Sequence, residues 1–125
     1  MLIAAAAAGG CGGKSGSDAC SSAGKAAFVF VEAPRSGDRV SSGFTVKGCS
    51  RTFEGNVVWS LRSRTGRVLA RGHTPGGSDA PKSFEFTVTF TVAVQQVGRL
   101  EVDEPRVTSE GFPPTQNVLP VVLAP

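Results

Sequence analysis

Residues 83–92 read SFEFTVTFTV, and every second position is large and apolar. Because side chains alternate between the two faces of a strand, Phe84, Phe86, Val88 and Phe90 would share one face. A helix could not gather these four on one side, since it repeats every 3.6 residues or about 100° per residue. The glutamate and threonines between them suit the solvated face of an antiparallel sheet. The stretch therefore predicts a strand with one buried face.

Neighbouring segments repeat this alternation. Residues 56–63 place Trp59 on one face together with a valine and a leucine, and a turn at 64–67 leads into a second short strand at 68–71. The two strands read as a hairpin. Further strands are predicted at residues 28–32, 44–49, 99–103 and 117–123.

About seven short strands separated by turn residues predict an antiparallel, immunoglobulin-like β-sandwich over residues 28–125. The 16 glycines and 8 prolines supply the turns, and no segment has the period of an amphipathic helix. Trp59 lies in the third predicted strand, where immunoglobulin-like domains place a core tryptophan. We expect Trp59, Phe84, Phe86 and Phe90 to form the core. No cysteine is available for an inter-sheet disulfide in the strand at 99–103.

The start of the chain resembles an export signal. Residues 1–10 are apolar and small, and Ala8-Gly9-Gly10-Cys11 is similar to the lipobox of bacterial lipoproteins. This resemblance implies that Cys11 is lipidated and that residues 11–27, rich in glycine and serine, form a linker. We then expect the protein at the extracytoplasmic face of the cell membrane. Since no lysine or arginine precedes Cys11, a leader without function is the alternative.

The other two cysteines allow two states. Cys20 lies in the linker, and alternation places Cys49 on the outer face of its strand with Thr45 and Lys47. In an oxidising envelope Cys20 and Cys49 could form a disulfide. Two free thiols are the alternative.

The formal net charge is +3, too small for a dedicated nucleic-acid binder, so we expect no nucleic-acid partner. The most basic region is the predicted hairpin. Its arginines could contact anionic lipid headgroups or wall polymers, or they could be scattered solubilising charges. They are Arg62, Arg64, Arg67 and Arg71.

No group of residues points to catalysis, a metal or a cofactor. The single histidine, His73, stands near Ser78 and Asp79 in a predicted Gly/Pro-rich loop, but sequence proximity does not make a triad. Glu101 and Asp103 alternate with apolar residues as an ordinary solvent face would. We therefore expect a protein that is not an enzyme and holds no metal.

Several stretches resemble the Gmad-type immunoglobulin-like domain, also called the bacterial spore germination immunoglobulin-like domain. The resemblance covers residues 28–123, and Phe53-Glu54-Gly55 is its most distinctive stretch. Residues 106–114 depart from the family pattern. The other matching stretches are residues 31–40, 44–48, 66–69, 84–86 and 98–102.

This resemblance implies an accessory or binding role in the bacterial envelope, with no catalytic residues to carry over. We expect an envelope lipoprotein whose domain binds an unknown envelope protein or cell-wall polymer, with a link to spore germination or cell-wall processes. A secreted structural or interaction domain without a lipid anchor is the alternative function.

Overall fold

The computed structural model describes residue 20 together with residues 27–105 and 116–125. Within these residues the chain forms eight strands. No helix in this part of the chain is long and apolar enough to cross a membrane. The strands are β1 (Phe28–Ala33), β2 (Arg39–Val40), β3 (Phe44–Arg51), β4 (Asn56–Arg62), β5 (Val68–Pro75), β6 (Lys82–Val88), β7 (Gln96–Asp103) and β8 (Gln116–Leu123).

The strands form two sheets. One has three strands in the order β1-β3-β6, and the other has five in the order β2-β8-β7-β4-β5. Neighbouring strands are antiparallel except β2 and β8, which run parallel. This division of strands is that of an immunoglobulin-like sandwich. The predicted all-β fold is therefore confirmed, with eight strands rather than seven.

The strands differ from the sequence prediction at several boundaries, including β3, which runs on to Arg51, and β7, which begins at Gln96. The strand predicted at 83–92 ends at Val88, although Phe90 remains buried and its N–H donates to Ser42 Oγ at 2.9 Å. β5 extends beyond the predicted strand to Pro75, because its second half pairs with β4 despite its turn-like composition. β2 has two residues, too few for alternation to be visible in the sequence.

The core lies between the inner faces of the two sheets. It consists mainly of valine and leucine, as a sandwich with alternating strands requires. Phe84 and Phe90 are buried in it, while Trp59 and Phe86 are partly buried and pack against it. The fully buried apolar side chains are Val46, Val57, Leu61, Val88, Leu100, Val102, Val121 and Leu123.

Trp59 connects the two layers. Its indole stacks on Phe86 of the opposite sheet with ring centroids 4.7 Å apart and planes 7° apart. Its cross-strand neighbour on β5 is Gly72, and a Cβ placed there would lie 2.8 Å from the indole Cζ2. Gly72 therefore provides the space in which the indole lies across the edge strand.

A disulfide joins Cys20 to Cys49, which are 29 positions apart in sequence and have Cα atoms 5.4 Å apart. Cys49 pairs with Phe30 and Ser83 on the outer face of the three-stranded sheet, where Cys20 helps to bury it. A loop of this length corresponds to about 3.5 kcal/mol in the chain-entropy model. The bond attaches the start of the chain to the sandwich instead of joining the two sheets.

Several predicted features lie outside the described residues. These are the signal-like segment at 1–10, the lipidation site Cys11, most of the linker at 11–27 and the divergent stretch at 106–114.

The stack on Phe86 gives a stability prediction for Trp59. Trp59→Ala should lower the free energy of unfolding by about 3 kcal/mol, because it removes a large ring between the two sheets. Trp59→Phe should cost less than half of that, since a ring remains against Phe86 and the buried Nε1–H, which has no acceptor among the described residues, is removed. Urea denaturation followed by circular dichroism measures both. Equal losses would contradict the role given to the stack.

Candidate functional site

A groove of about 690 Å³ crosses the outer face of the five-stranded sheet, over β4 and between β5 and β7. The groove forms because successive side chains of β4 point to opposite faces of the sheet. Val57 and Leu61 are buried in the core, so Val58, Ser60 and Arg62 face outward and form the floor. β5 is the edge strand, which leaves that side of the groove without a further strand.

Strand register places basic side chains on one side of this floor and acidic side chains on the other. Val58 lies between His73 of β5 and Asp103 of β7. The next outward position, Ser60, lies between Arg71 and Glu101 in the same way. Two strand spacings separate the backbones of β5 and β7, about 9 to 10 Å. The groove thus has a basic side on β5 and an acidic side on β7.

Glu101 is already engaged within the sheet. Its carboxylate lies 3.6 Å from Arg62 Nε and 3.7 Å from Arg99 Nε, and it accepts a hydrogen bond from Ser60 Oγ at 3.4 Å. Arg62 also donates from Nη1 to the carbonyl of Gly66 at 3.0 Å. These partners hold Arg62 and Glu101 in fixed positions on the floor of the groove.

Asp103 differs from Glu101 because it has no ion pair with another described residue. Its Oδ1 accepts the Asn117 N–H at 3.3 Å. Burial raises the pKa of Asp103 above its ordinary value, and the nearby negative charge of Glu101 raises it further, while the Asn117 hydrogen bond opposes the change. Asp103 is therefore a carboxylate that would gain from a cationic partner in the groove.

The basic side has free donors. Arg71 and His73 are exposed on β5, and neither side chain makes a hydrogen bond or ion pair with another described residue. Their side chains can thus bind an anionic group without first losing an internal partner.

The four arginines of the hairpin do not all line the groove. Arg62 and Arg71 line the groove, whereas Arg64 and Arg67 lie in the turn that follows β4. Arg67 lines a separate hollow with Ser42 and Phe90. The sequence suggested a single basic region because it could not show which side of the hairpin each side chain faces.

His73 is in strand β5, not in the loop that the sequence suggested. Ser78 lies at a different place, where its Oγ donates to the carbonyl of Phe53 at 3.3 Å. The structure thus does not assemble His73 and Ser78 into one site. In residues 27–105, 116–125 and residue 20, no group of three or more His, Cys, Asp or Glu side chains could hold a metal ion.

Sequence reasoning missed Glu104. It is buried, and its Oε2 accepts the Phe53 N–H at 3.2 Å, which braces the loop between β3 and β4. Glu54 in the same loop is exposed and lines the groove. The alternation along β7 could have indicated that Glu104 is buried. Leu100 and Val102 face inward, and Glu104 is the next residue in the same alternation.

The raised pKa of Asp103 predicts a pH dependence of stability. The folded domain disfavours the ionised carboxylate, so this group costs stability as the pH rises from the unfolded-state pKa through the raised folded-state pKa. Asp103→Asn should therefore stabilise the domain at neutral pH and have no such benefit below about pH 3.5. Urea denaturation at both pH values tests this, with Asp79→Asn on an exposed loop as the control for loss of one charge. A benefit at both pH values would be contrary to this account.

Comparison with known proteins identifies the family. Residues 28–108 match the family model described as the immunoglobulin-like domain of bacterial spore germination. A search of curated proteins gave no match. The matched segment includes β1 to β7, the groove and the Phe53 loop, and its expected architecture is the sandwich observed. The chain therefore belongs to the family of the immunoglobulin-like domain of bacterial spore germination.

Proposed function

We propose that this protein is a non-catalytic binding module of the bacterial envelope, held at the membrane by a lipid on Cys11. The observation that carries the binding role is the groove on the five-stranded sheet, where Arg71 and His73 lie across β4 from Glu101 and Asp103, respectively. Membership of the family supports an accessory role, since the family is described as the immunoglobulin-like domain of bacterial spore germination.

The chemistry of the groove favours a partner with charges of both signs. Arg71 and His73 offer donors on one side, and Asp103 offers an acceptor on the other. Val58 contributes an apolar surface between them. A segment of an envelope protein or of a wall polymer that carries both amino and carboxylate groups would meet all three. A link to spore germination or to cell-wall processes is the biological context that we propose.

The anchor is proposed on the sequence around Cys11, which resembles a lipobox. A diacylglycerol and a further acyl chain would hold the protein stably at the outer face of the membrane, because each buried methylene contributes about 0.8 kcal/mol. The second candidate is a secreted interaction domain without lipid, which keeps the same groove.

Reversal of one charge tests the groove. Arg71→Glu should weaken binding to isolated cell walls or to solubilised envelope proteins about tenfold, equivalent to about 1.4 kcal/mol. Arg67→Glu makes the same change of charge in the turn outside the groove and should leave binding nearly unchanged. Co-sedimentation and quantitative pull-down measure the two variants side by side. Equal weakening by both would show a general effect of charge and refute the groove.

Labelling tests the anchor separately. Cells that express the protein should incorporate radioactive fatty acid into it, and Cys11→Ser should abolish the label because no thiol is left to acylate at that position. The wild-type protein should fractionate with membranes. Recovery of unlabelled wild-type protein from the culture medium would instead support the secreted alternative.

A further inference from the structure

The loop between β3 and β4 displays an aromatic ring to solvent although its backbone is firmly held. Phe53 is 65% exposed. Its N–H donates to buried Glu104 and its carbonyl accepts from Ser78 Oγ. The preceding residue, Thr52, makes two hydrogen bonds. Its N–H donates to the Gly77 carbonyl at 2.9 Å, and its Oγ1 donates to the Asn56 carbonyl at 3.0 Å. A braced backbone fixes the ring in an exposed position, as a contact residue requires.

The disulfide attaches the start of the chain at this same end of the sandwich, which we call the tether end. Cys49 is two residues before Arg51, the last residue of β3. Arg51 Nε donates to the carbonyl of Ser78 at 3.0 Å, and Ser78 contacts Phe53. Phe53 and the attachment point of Cys20 therefore belong to one end of the molecule.

The opposite end, which we call the hairpin end, contains the turn after β4. The Arg64 N–H donates to Gln96 Oε1 there, and Gln96 Nε2 donates to the carbonyl of Val94. Val94 is 51% exposed. From Cys49 back to Phe44 the strand alone covers about 17 Å, so the hairpin end is at least that far from the disulfide.

Chain length limits how far Cys20 can lie from Cys11. The two cysteines are nine positions apart, which spans at most about 32 Å even when fully extended. Without the disulfide, the first attachment to the sandwich would be Phe28, which is 17 positions from Cys11. The maximum distance between Cys11 and the folded domain would then be about 60 Å. The disulfide thus halves the maximum distance between a lipid on Cys11 and the folded domain.

We infer that the tether end of the sandwich rests on the lipid bilayer, with Phe53 as its contact residue in the interfacial layer. This inference depends on the proposed lipid anchor at Cys11. Contact through the tether end needs little extension of the nine positions, whereas contact through the hairpin end needs about half of their maximum span. Phenylalanine is among the apolar residues by which peripheral segments enter the boundary between the headgroups and the acyl chains.

This contact does not depend on anionic lipids. Arg51 and Lys82 contribute two positive charges at the tether end, but exposed Glu54 and Asp79 contribute two negative charges close by. The contact should therefore form on zwitterionic vesicles. It leaves the turn arginines, Arg64 and Arg67, directed away from the bilayer, where they can meet a wall polymer instead of headgroups.

Depth-dependent fluorescence quenching tests the orientation in the full chain. Cys11 is the thiol outside the disulfide, so the oxidised protein can be coupled through it to a maleimide lipid in phosphatidylcholine vesicles. The test then does not depend on lipidation in the cell, which the fatty-acid label examines by itself. Phospholipids brominated near the headgroup should quench the added emission of Phe53→Trp and shift it to shorter wavelength. The matched variant Val94→Trp should show neither change.

Two further comparisons complete the test. Trp59 is present in every variant, so the wild-type signal is subtracted as a common background. Breaking the disulfide with Cys20→Ser and Cys49→Ser should reduce the quenching of Phe53→Trp toward that of Val94→Trp, after circular dichroism confirms that the sheet persists. Equal quenching at both positions, stronger quenching at position 94, no quenching at either, or quenching that is unaffected by loss of the disulfide would each overturn the inference.

Discussion

The indole of Trp59 lies flat against Phe86, and this stack is the principal aromatic contact between two sheets whose strands otherwise pair within their own layer. Immunoglobulin-like domains commonly join their sheets at this depth with a disulfide beside a tryptophan. Here apolar burial and dispersion between the layers are supplemented by a hydrogen bond from Asn117 Nδ2 on β8 to the Val29 carbonyl on β1. Phe84 extends the stack along β6, with its ring centroid 6.1 Å from that of Phe86.

The same alternation that builds the core also builds the groove. With Val57, Trp59 and Leu61 directed inward, the residues between them can only face outward on the five-stranded sheet. A shift of one residue in register would exchange the two faces, so the core fixes which polar side chains meet across β4. The opposition of Arg71 to Glu101 and of His73 to Asp103 is thus a consequence of packing on the other side of the sheet.

In antibody domains a disulfide joins the two sheets through the core, whereas the disulfide of this protein joins the start of the chain to β3. Cys49 is on the outer face of β3, so its bond to Cys20 leaves the core untouched and adds a covalent connection to the start of the chain. The tether end therefore combines the attachment point, the loop braced by Glu104 and exposed Phe53. The groove lies on the opposite sheet, where it is accessible to a partner.

By itself the sequence determined the fold class, because alternation over residues 83–92 and 56–63 assigns inward and outward positions without knowledge of any partner strand. It also placed Trp59 on the inward face of its strand, where the partly buried indole packs against the core. It did not reveal β2, the extension of β5 or the role of Glu104, since these depend on pairing with distant residues.

Only the tertiary structure decided the site. His73 and Asp103 are 30 positions apart in sequence and come to face each other because both β5 and β7 pair with β4. Likewise, Arg62 and Arg71 share the groove while Arg64 and Arg67 do not, although all four are close in sequence. Alternation is a local property that a chain carries in its order of residues, whereas the register between strands is set by the packing of the whole core.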